Sequence, residues 1–545
     1  MHIKLNITLS QSKKYLLAFI QGKLATRQFL ILFILISLNG FSQTADSLIK
    51  YKDLKFKDEV EKNIFINYLN KNDTSNFLPF LYSLQNSTDN LKSVEETIRA
   101  SIDDLKKKTL NAKSEGKIIK TIYVDVHEKF LKKYELKISF AEIFKNGTYN
   151  CVTATALYSL ILDGLKIPYS IKETPTHVFM VAYPNSSKVL IETTNPLAGY
   201  YQFNEDFVKK YVENLLKSKQ ISDEDYKTNT ANDLFNKYYF SSDHIDLKKL
   251  TGLHYYNAGI VAMEETKYEK AMDYFSKAYI FYPSDRVKFL IRNTLALLLE
   301  KVDYKNDLDI ERYIIATRLN SSSKIGIDFN ELKNEFLKIT EKQLIDQSNF
   351  ELYENSYKKI VSQIGDTVLL KEINFTYNYE FARVLVATGK TQGLEEKLQK
   401  AYSINPNNAY LQAMILQSIV KKLSNKNNPN EVISLMNGYE KDYPFVNSSL
   451  IFNRILANSY LEFAYREYNL NNSLRAEQGL VSFEKIKNGQ EGMDVEDTFI
   501  EKAYGTAAGF YFKKGDKEKA KTVLMRGLKF LPQSYHLKQR LSQLY

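Results

Sequence analysis

Residues 144–170, FKNGTYNCVTATALYSLILDGLKIPYS, and residues 171–200, IKETPTHVFMVAYPNSSKVLIETTNPLAGY, decide how this chain is read. Asn146-Gly147 marks a turn, because both residues tolerate left-handed backbone. From Cys151 to Leu162, apolar residues recur at helical spacing through Ala154, Ala156, Leu157, Leu160 and Ile161. The pattern predicts a helix with Cys151 at its N-terminus. Gly164 and Pro168 bracket the exit, so a helix stop followed by a strand is expected. HVFMVAY and KVLIET are β-rich runs separated by Pro184-Asn185-Ser186-Ser187, which predicts an antiparallel hairpin. A register pairing Val181 with Lys188 sets Phe179 opposite Leu190 and His177 opposite Glu192. Period-two alternation then puts His177 and Glu192 on one face. A slip of one residue would separate them.

Cys151 is the only cysteine of 545 residues, so no intrachain disulfide exists and packing must supply stability. A free thiol of ordinary pKa about 8.5 is mostly protonated at neutral pH, but a helix N-terminus and a neighbouring imidazolium both favour thiolate. A carboxylate beside the imidazole would fix its tautomer and stabilise its charged form. The bland alternative treats each residue separately: Cys151 as a packed helix residue, His177 as a core or hairpin histidine, Glu192 as a solvated strand end.

Three short runs together resemble the transglutaminase-like superfamily of papain-related thiol enzymes, including its bacterial branch with helical-repeat extensions. They are Gly147-Thr148-Tyr149-Asn150-Cys151 opening a helix, Pro175-Thr176-His177-Val178-Phe179 opening a strand, and Ile191-Glu192-Thr193-Thr194 on the next. The resemblance covers roughly residues 115–200 and implies an α+β papain/transglutaminase-like domain. It makes Cys151 the nucleophile, His177 the base and Glu192 the third member, in the order and with the spacings of 26 and 15 residues compatible with the family. Many members carry an aromatic residue after the nucleophile and Asp as the acid, where this chain has Val152 and Glu192. Glu keeps the charge with a longer reach. The backbone N–H of Cys151 with Asn150 or Asn146 is the expected oxyanion site.

Outward from this segment the chain is helical. Leu48, Leu54, Phe56, Val60, Ile64, Phe65 and Leu69, and then Val94, Ile98, Ile102 and Leu105, recur at roughly helical spacing, separated by Asn72-Asp73 and Asn86-Ser87. A third helix is expected from about Ile118 to Tyr134. From about residue 250 the run YYNAGIVAMEETKYEKAMDYFSKAYIFYP matches the 34-residue tetratricopeptide pattern at Tyr255, Ala258-Gly259, Ala262, Ala271, Phe275, Ala278 and Pro283. Weaker copies occur at Ala382, Leu385, Leu394, Leu398, Ala401 and Pro406, and at Tyr504, Ala508, Tyr511, Ala520, Leu524, Gly527 and Pro532. The stripes read as repeat core, leaving the surface of an all-α solenoid for a peptide or protein partner.

At the other end, FLILFILISL at residues 29–38 follows Arg27 and leads to Gly40 and Ser42, the layout of a signal peptide cleaved after Ser42. Ten residues rise only about 15 Å as a helix, half a bilayer core. Lys4, Lys13, Lys14, Lys23 and Arg27 in this segment supply five of the cations behind the net charge of +11, and the rest is too dilute to bind nucleic acid. No stable membrane span is expected after cleavage. His127, His244, His254 and His536 show no ligand spacing, and no glycine loop cradles phosphate, so neither metal nor other cofactor is expected.

The expected organisation is a signal peptide (1–42), an N-terminal helical region (43–114), a transglutaminase-like domain (115–245) and tetratricopeptide-like repeats (250–545), predominantly helical overall. The expected function is an exported, periplasmic or secreted enzyme of the bacterial envelope that acts on peptide or protein amide bonds through a Cys thioester. It would be a cysteine peptidase-like amidase or a transglutaminase-type acyltransferase, with the repeats for protein binding. The alternative is an inactive transglutaminase-like scaffold or peptide-binding protein of the envelope.

Overall fold

The structure is a computed structural model that describes residues 48–71, 76–84, 90–174, 177–194, 199–202, 205–217, 221–239, 244–319 and 326–545. The expected export segment, the breakers Asn72-Asp73 and Asn86-Ser87, and Pro175-Thr176 lie outside the described residues. The chain divides into two compact units, Met1–Leu369 and Leu370–Tyr545.

In the first unit, Leu48 and Leu54 are buried, but they flank a 3₁₀ turn at Tyr51–Asp53 and not a helix. Helix α1 (Glu59–Lys71) starts where Asp58 can cap it. Asp58 Oδ1 accepts from the Glu61 amide at 2.7 Å, and Glu61 Oε2 accepts from the Lys57 amide at 2.8 Å. After α2 (Leu78–Ser83), α3 (Leu91–Thr109) buries Val94, Ile98 and Leu105 along the expected stripe. Ser114 caps α4 (Glu115–Phe130), accepting from the Lys117 amide at 3.3 Å. This helix stops short of the expected end at Tyr134, because Lys133–Tyr134 instead forms a short strand, β1.

Strand β1 pairs in parallel with β2 (Thr148–Tyr149), with Tyr134 opposite Tyr149. Between them, α5 (Glu142–Asn146) ends at Gly147, whose φ of 78° makes the expected turn. Helix α6 (Cys151–Leu165) follows directly. It runs through Gly164, which serves close packing, since a Cβ there would lie 2.4 Å from Ile102 Cδ1 of α3. The actual stop is Lys166 in the left-handed region, with the Ile167 amide donating back to the Leu162 carbonyl at 2.9 Å.

Strands β3 (Tyr169–Glu173), β4 (Val178–Ala182), β5 (Val189–Ile191), β6 (Tyr200–Gln202) and β7 (His244–Ile245) form an antiparallel sheet in the order β6-β5-β4-β3-β7. Helix α6 packs along β3 and β4, with α3 against α6 and α4 against β5 and β6. Val181 lies opposite Leu190, not Lys188, so the expected register is corrected by two residues. The hairpin loop is longer than Pro184–Ser187: Tyr183 and Lys188 both take positive φ, and the Lys188 amide donates to the Tyr183 carbonyl at 3.0 Å. A shift of two keeps every side chain on its face.

Helices α7 (Glu205–Lys217), α8 (Asp223–Thr228) and α9 (Ala231–Tyr239) share a small core of Val208, Val212, Leu215, Ile221, Leu234 and Phe235. Next comes the hairpin of α10 (Leu247–Glu264) and α11 (Tyr268–Phe281), where Tyr255, Ala258, Ala262, Ala271, Phe275 and Ala278 are buried as the repeat pattern requires. Gly259 is obligatory there, because a Cβ would lie 2.4 Å from the Phe275 ring. This hairpin shares its unit with the sheet: Phe65 and Phe80 stand 5.1 Å apart, Phe80 and Phe281 5.0 Å, and the Tyr255 hydroxyl donates to the Phe80 carbonyl at 3.3 Å. Four further helices, α12 (Asp285–Leu299), α13 (Asp307–Leu319), α14 (Phe329–Thr340) and α15 (Phe350–Val361), continue the unit, with a π-helical turn at Glu341–Asp346.

The second unit is helical throughout, from α16 (Thr367–Ala387) and α17 (Leu394–Ile404) to α18 (Ala409–Leu423), α19 (Pro429–Asp442), α20 (Leu450–Asn469), α21 (Ser473–Gly489), α22 (Asp497–Lys513), α23 (Lys517–Phe530) and α24 (Tyr535–Ser542). Ala382, Leu385, Leu394, Leu398 and Ala401 are buried in α16 and α17, and Tyr504, Ala508, Ala520 and Leu524 in α22 and α23. Pro283, Pro406 and Pro532 each stand just past the second helix of a hairpin, where the ring cannot extend it. The chain is thus predominantly helical, with hairpins of helical-repeat type.

Candidate thiol site

Cys151 begins α6 because Asn150 is built to cap it. Asn150 Oδ1 accepts from the Thr153 amide at 2.9 Å, and Thr153 Oγ1 accepts from the Asn150 amide at 2.9 Å. The thiol is half-buried. His177 precedes β4, and its carbonyl accepts from the Thr174 amide at 2.8 Å and the Thr174 hydroxyl at 3.0 Å. Its ring stacks on Phe179 with centroids 6.3 Å apart. Glu192 follows β5, where its Oε1 accepts from the Thr194 amide at 3.1 Å and the Thr194 hydroxyl at 2.7 Å. The Tyr123 hydroxyl donates to the Glu192 carbonyl at 3.2 Å.

These supports bring the three side chains together. His177 Nε2 lies 2.9 Å from both Oε1 and Oε2 of Glu192. By the observed register the two residues are diagonal neighbours on one face, not direct partners, and the longer reach of Glu covers the difference. The Cys151 thiol neighbours the imidazole and raises its pKa. Since Nε2 is turned to the carboxylate, Nδ1 is the ring nitrogen left for the thiol. Cys151, then Glu192, push His177 up to about 10 against the opposing effect of burial. Burial raises Glu192, but the bonds from His177 and Thr194 outweigh it and leave the carboxyl below its ordinary value. The arrangement can hold an imidazolium between a sulfur and a carboxylate.

The two expected oxyanion amides also serve the local fold. Asn150 Nδ2 donates to the Leu136 carbonyl at 3.1 Å while its oxygen caps the helix. Asn146 Oδ1 accepts from the Thr148 amide at 2.9 Å and its Nδ2 donates to Glu142 at 3.4 Å. Each amide nitrogen thus gives one of its two N–H groups to the local fold. A residue outside the expected set pairs beside the helix start: Tyr134 on β1 lies opposite Tyr149, two residues before Cys151, and burial, then the charges of Cys151, Tyr149 and Glu192, raise its phenol.

Three other histidines make contacts elsewhere. His127 Nδ1 meets the Tyr158 hydroxyl at 2.8 Å, and His254 Nε2 accepts from the Phe140 amide at 3.3 Å. Burial lowers His254 to about 4, so it stays neutral. His244 Nε2 lies 2.7 Å from Lys172 Nζ. Among the described residues, no group of three or more His, Cys, Asp or Glu side chains is placed to hold a metal ion.

No protein-family profile matches the chain, and no curated protein matches it. Among solved structures, one described as "Structure of Naa15/Naa10 bound to HypK-THB" aligns over 62% of this chain and 63% of that chain, at 13% identity and a TM-score of 0.13. The chain thus spans less than two thirds of that neighbour, and a superposition this loose carries no argument about fold or function.

Proposed function

We propose that the chain is a thiol enzyme acting on peptide or protein amide bonds, of the transglutaminase-like or cysteine peptidase-like type. The observation that carries this reading is the imidazole of His177 held at 2.9 Å by both carboxylate oxygens of Glu192, with Cys151 at the N-terminus of its helix beside it. His177 takes the thiol proton, and the sulfur attacks the amide carbonyl to form a tetrahedral intermediate. Glu192 holds the ring orientation and stabilises the imidazolium. Collapse expels the amine, which leaves with the proton returned by His177, and a thioester remains on Cys151. Water as the second acceptor gives an amidase or peptidase, and an amine gives acyl transfer.

The helical hairpins supply surface for a protein partner. The apolar run at residues 29–38, read as part of an export signal over 1–42, supports a periplasmic or envelope location in a bacterium; among the described residues no helix is long and apolar enough to cross a membrane. The test is acid-quenched intact mass after mixing the full chain with activated peptide amides. An adduct on wild type that Cys151→Ala abolishes supports the reading. Adducts equal in both proteins, or none across a broad panel, leave the inactive scaffold as the better account.

A further inference from the structure

We propose that the phenol of Tyr134 is the side-chain donor of the oxyanion hole, acting with the Cys151 amide; this deepens the thiol-enzyme reading and rests on it. Tyr134 and the nucleophile share one bracket. Strand β1 pairs in parallel with β2, Tyr134 opposite Tyr149, and Tyr149 is two residues from Cys151. The Glu135 amide donates to the Tyr149 carbonyl at 2.9 Å, and Asn150 Nδ2 ties down the Leu136 carbonyl at 3.1 Å. The Tyr134 and Tyr149 rings meet edge-on at 5.8 Å. Position is therefore fixed by backbone pairing, the kind of preorganisation an oxyanion donor needs.

The other candidate donors are partly engaged or enclosed: Asn150 is buried and gives one N–H to the Leu136 carbonyl, Asn146 gives one to Glu142, Tyr123 donates to the Glu192 carbonyl, and Tyr149 is only 3% exposed. Tyr134 is 42% exposed, on the strand paired with Tyr149, two residues before Cys151. Burial and the charges of Cys151, Tyr149 and Glu192 hold its proton, so it remains a donor through neutral pH. In the step, the sulfur bonds the carbonyl carbon and the carbonyl π pair moves onto oxygen. That oxygen accepts from the Cys151 N–H and the Tyr134 O–H. Collapse restores the C=O and expels the leaving group with its bonding pair, its proton coming from His177.

Two electrophiles separate this role from thiol activation. Iodoacetamide alkylates sulfur by displacement with no oxyanion, whereas p-nitrophenyl acetate acetylates it through one, releasing p-nitrophenolate. Both rates are read on the full chain by intact mass and peptide mapping of Cys151. Tyr134→Phe is expected to slow acetylation by roughly tenfold or more, with alkylation unchanged. That is smaller than the ~100- to 1,000-fold cost of losing such a donor in amide chemistry, because p-nitrophenolate leaves readily. Equal slowing of both reactions, or of neither, overturns the proposal. A wild type that iodoacetamide fails to label below pH 7 sinks the thiol-enzyme reading itself, and Tyr134 with it.

Discussion

Replacing Glu192 by Gln keeps the shape of the side chain and removes its charge, so it isolates the carboxylate's contribution to His177. Both carboxylate oxygens stand 2.9 Å from Nε2, which puts the charge centres about 4 Å apart. At that distance a pair is worth about 4 kcal/mol in a surface-like medium of effective dielectric 20 and about 1 kcal/mol in water. The two side chains are 30% and 24% exposed, so the value should fall between these limits, at about 1–3 kcal/mol. At 1.36 kcal/mol per pH unit, His177 should titrate roughly one to two pH units below its wild-type value of about 10. Cys151→Ala should lower it too, since Cys151 also raises the imidazole. The assay is a ¹³C-histidine NMR titration, with the His177 signal assigned by its loss in His177→Ala. Linkage gives a second readout. A histidine raised above its unfolded value of about 6.5 stabilises the fold below that pH, and the contribution disappears as pH rises through about 10. The stability advantage of wild type over Glu192→Gln should therefore narrow between about pH 8 and 10. A wild-type His177 titrating near 6.5, or one that neither substitution moves, refutes the reasoning.

Other substitutions test the scaffold. Asn150→Ala should cost about 1–2 kcal/mol in denaturant unfolding through loss of the α6 cap, while Asn150→Asp, which retains the accepting oxygen but turns a carboxylate oxygen toward the Leu136 carbonyl, should not recover full stability. Lys277→Met strands Glu61, its partner at 2.8 Å, with the two side chains 4% and 1% exposed; a cost of about 3–5 kcal/mol is expected, and a thermal midpoint like that of wild type would contradict it. In the second unit, Gly527→Ala drives a Cβ to 2.8 Å from the Tyr504 ring and should destabilise by about 1–3 kcal/mol. Gly438→Ala, with nothing within 4 Å of its Cβ, should stabilise α19 by up to about 1 kcal/mol, and a reversed order in calorimetry would overturn the packing argument.

What the sequence made legible was what depends on local chemistry. Asn150 before an apolar period announced the helix start, and the Ala and Gly positions around Gly259 announced a close helical hairpin. Parity on the sheet was also legible: His177 and Glu192 share a face, and a register error of two residues could not undo that. The register itself was not, because Tyr183 and Lys188 leave the strands with positive φ, which no β-propensity signals. Strand β1 was hidden because two residues show no period, and Tyr134 with it. Gly164 looked like a helix stop because its neighbour Ile102 lies some sixty residues away in the chain. The bonds of Asn150 to the Leu136 carbonyl and of Asn146 to the Thr148 amide were not legible, because the β1–β2 pairing and the turn at Gly147 set them.

The central claim is that Cys151 and His177 act as one unit, and the most direct measurement is the rate of iodoacetamide alkylation from pH 4 to 10 in wild type and His177→Ala. One thiol makes the mass readout unambiguous. The account predicts labelling that persists well below pH 7 in wild type and is lost there without His177. Labelling that follows an ordinary thiol in both proteins, or that requires unfolding, would contradict it.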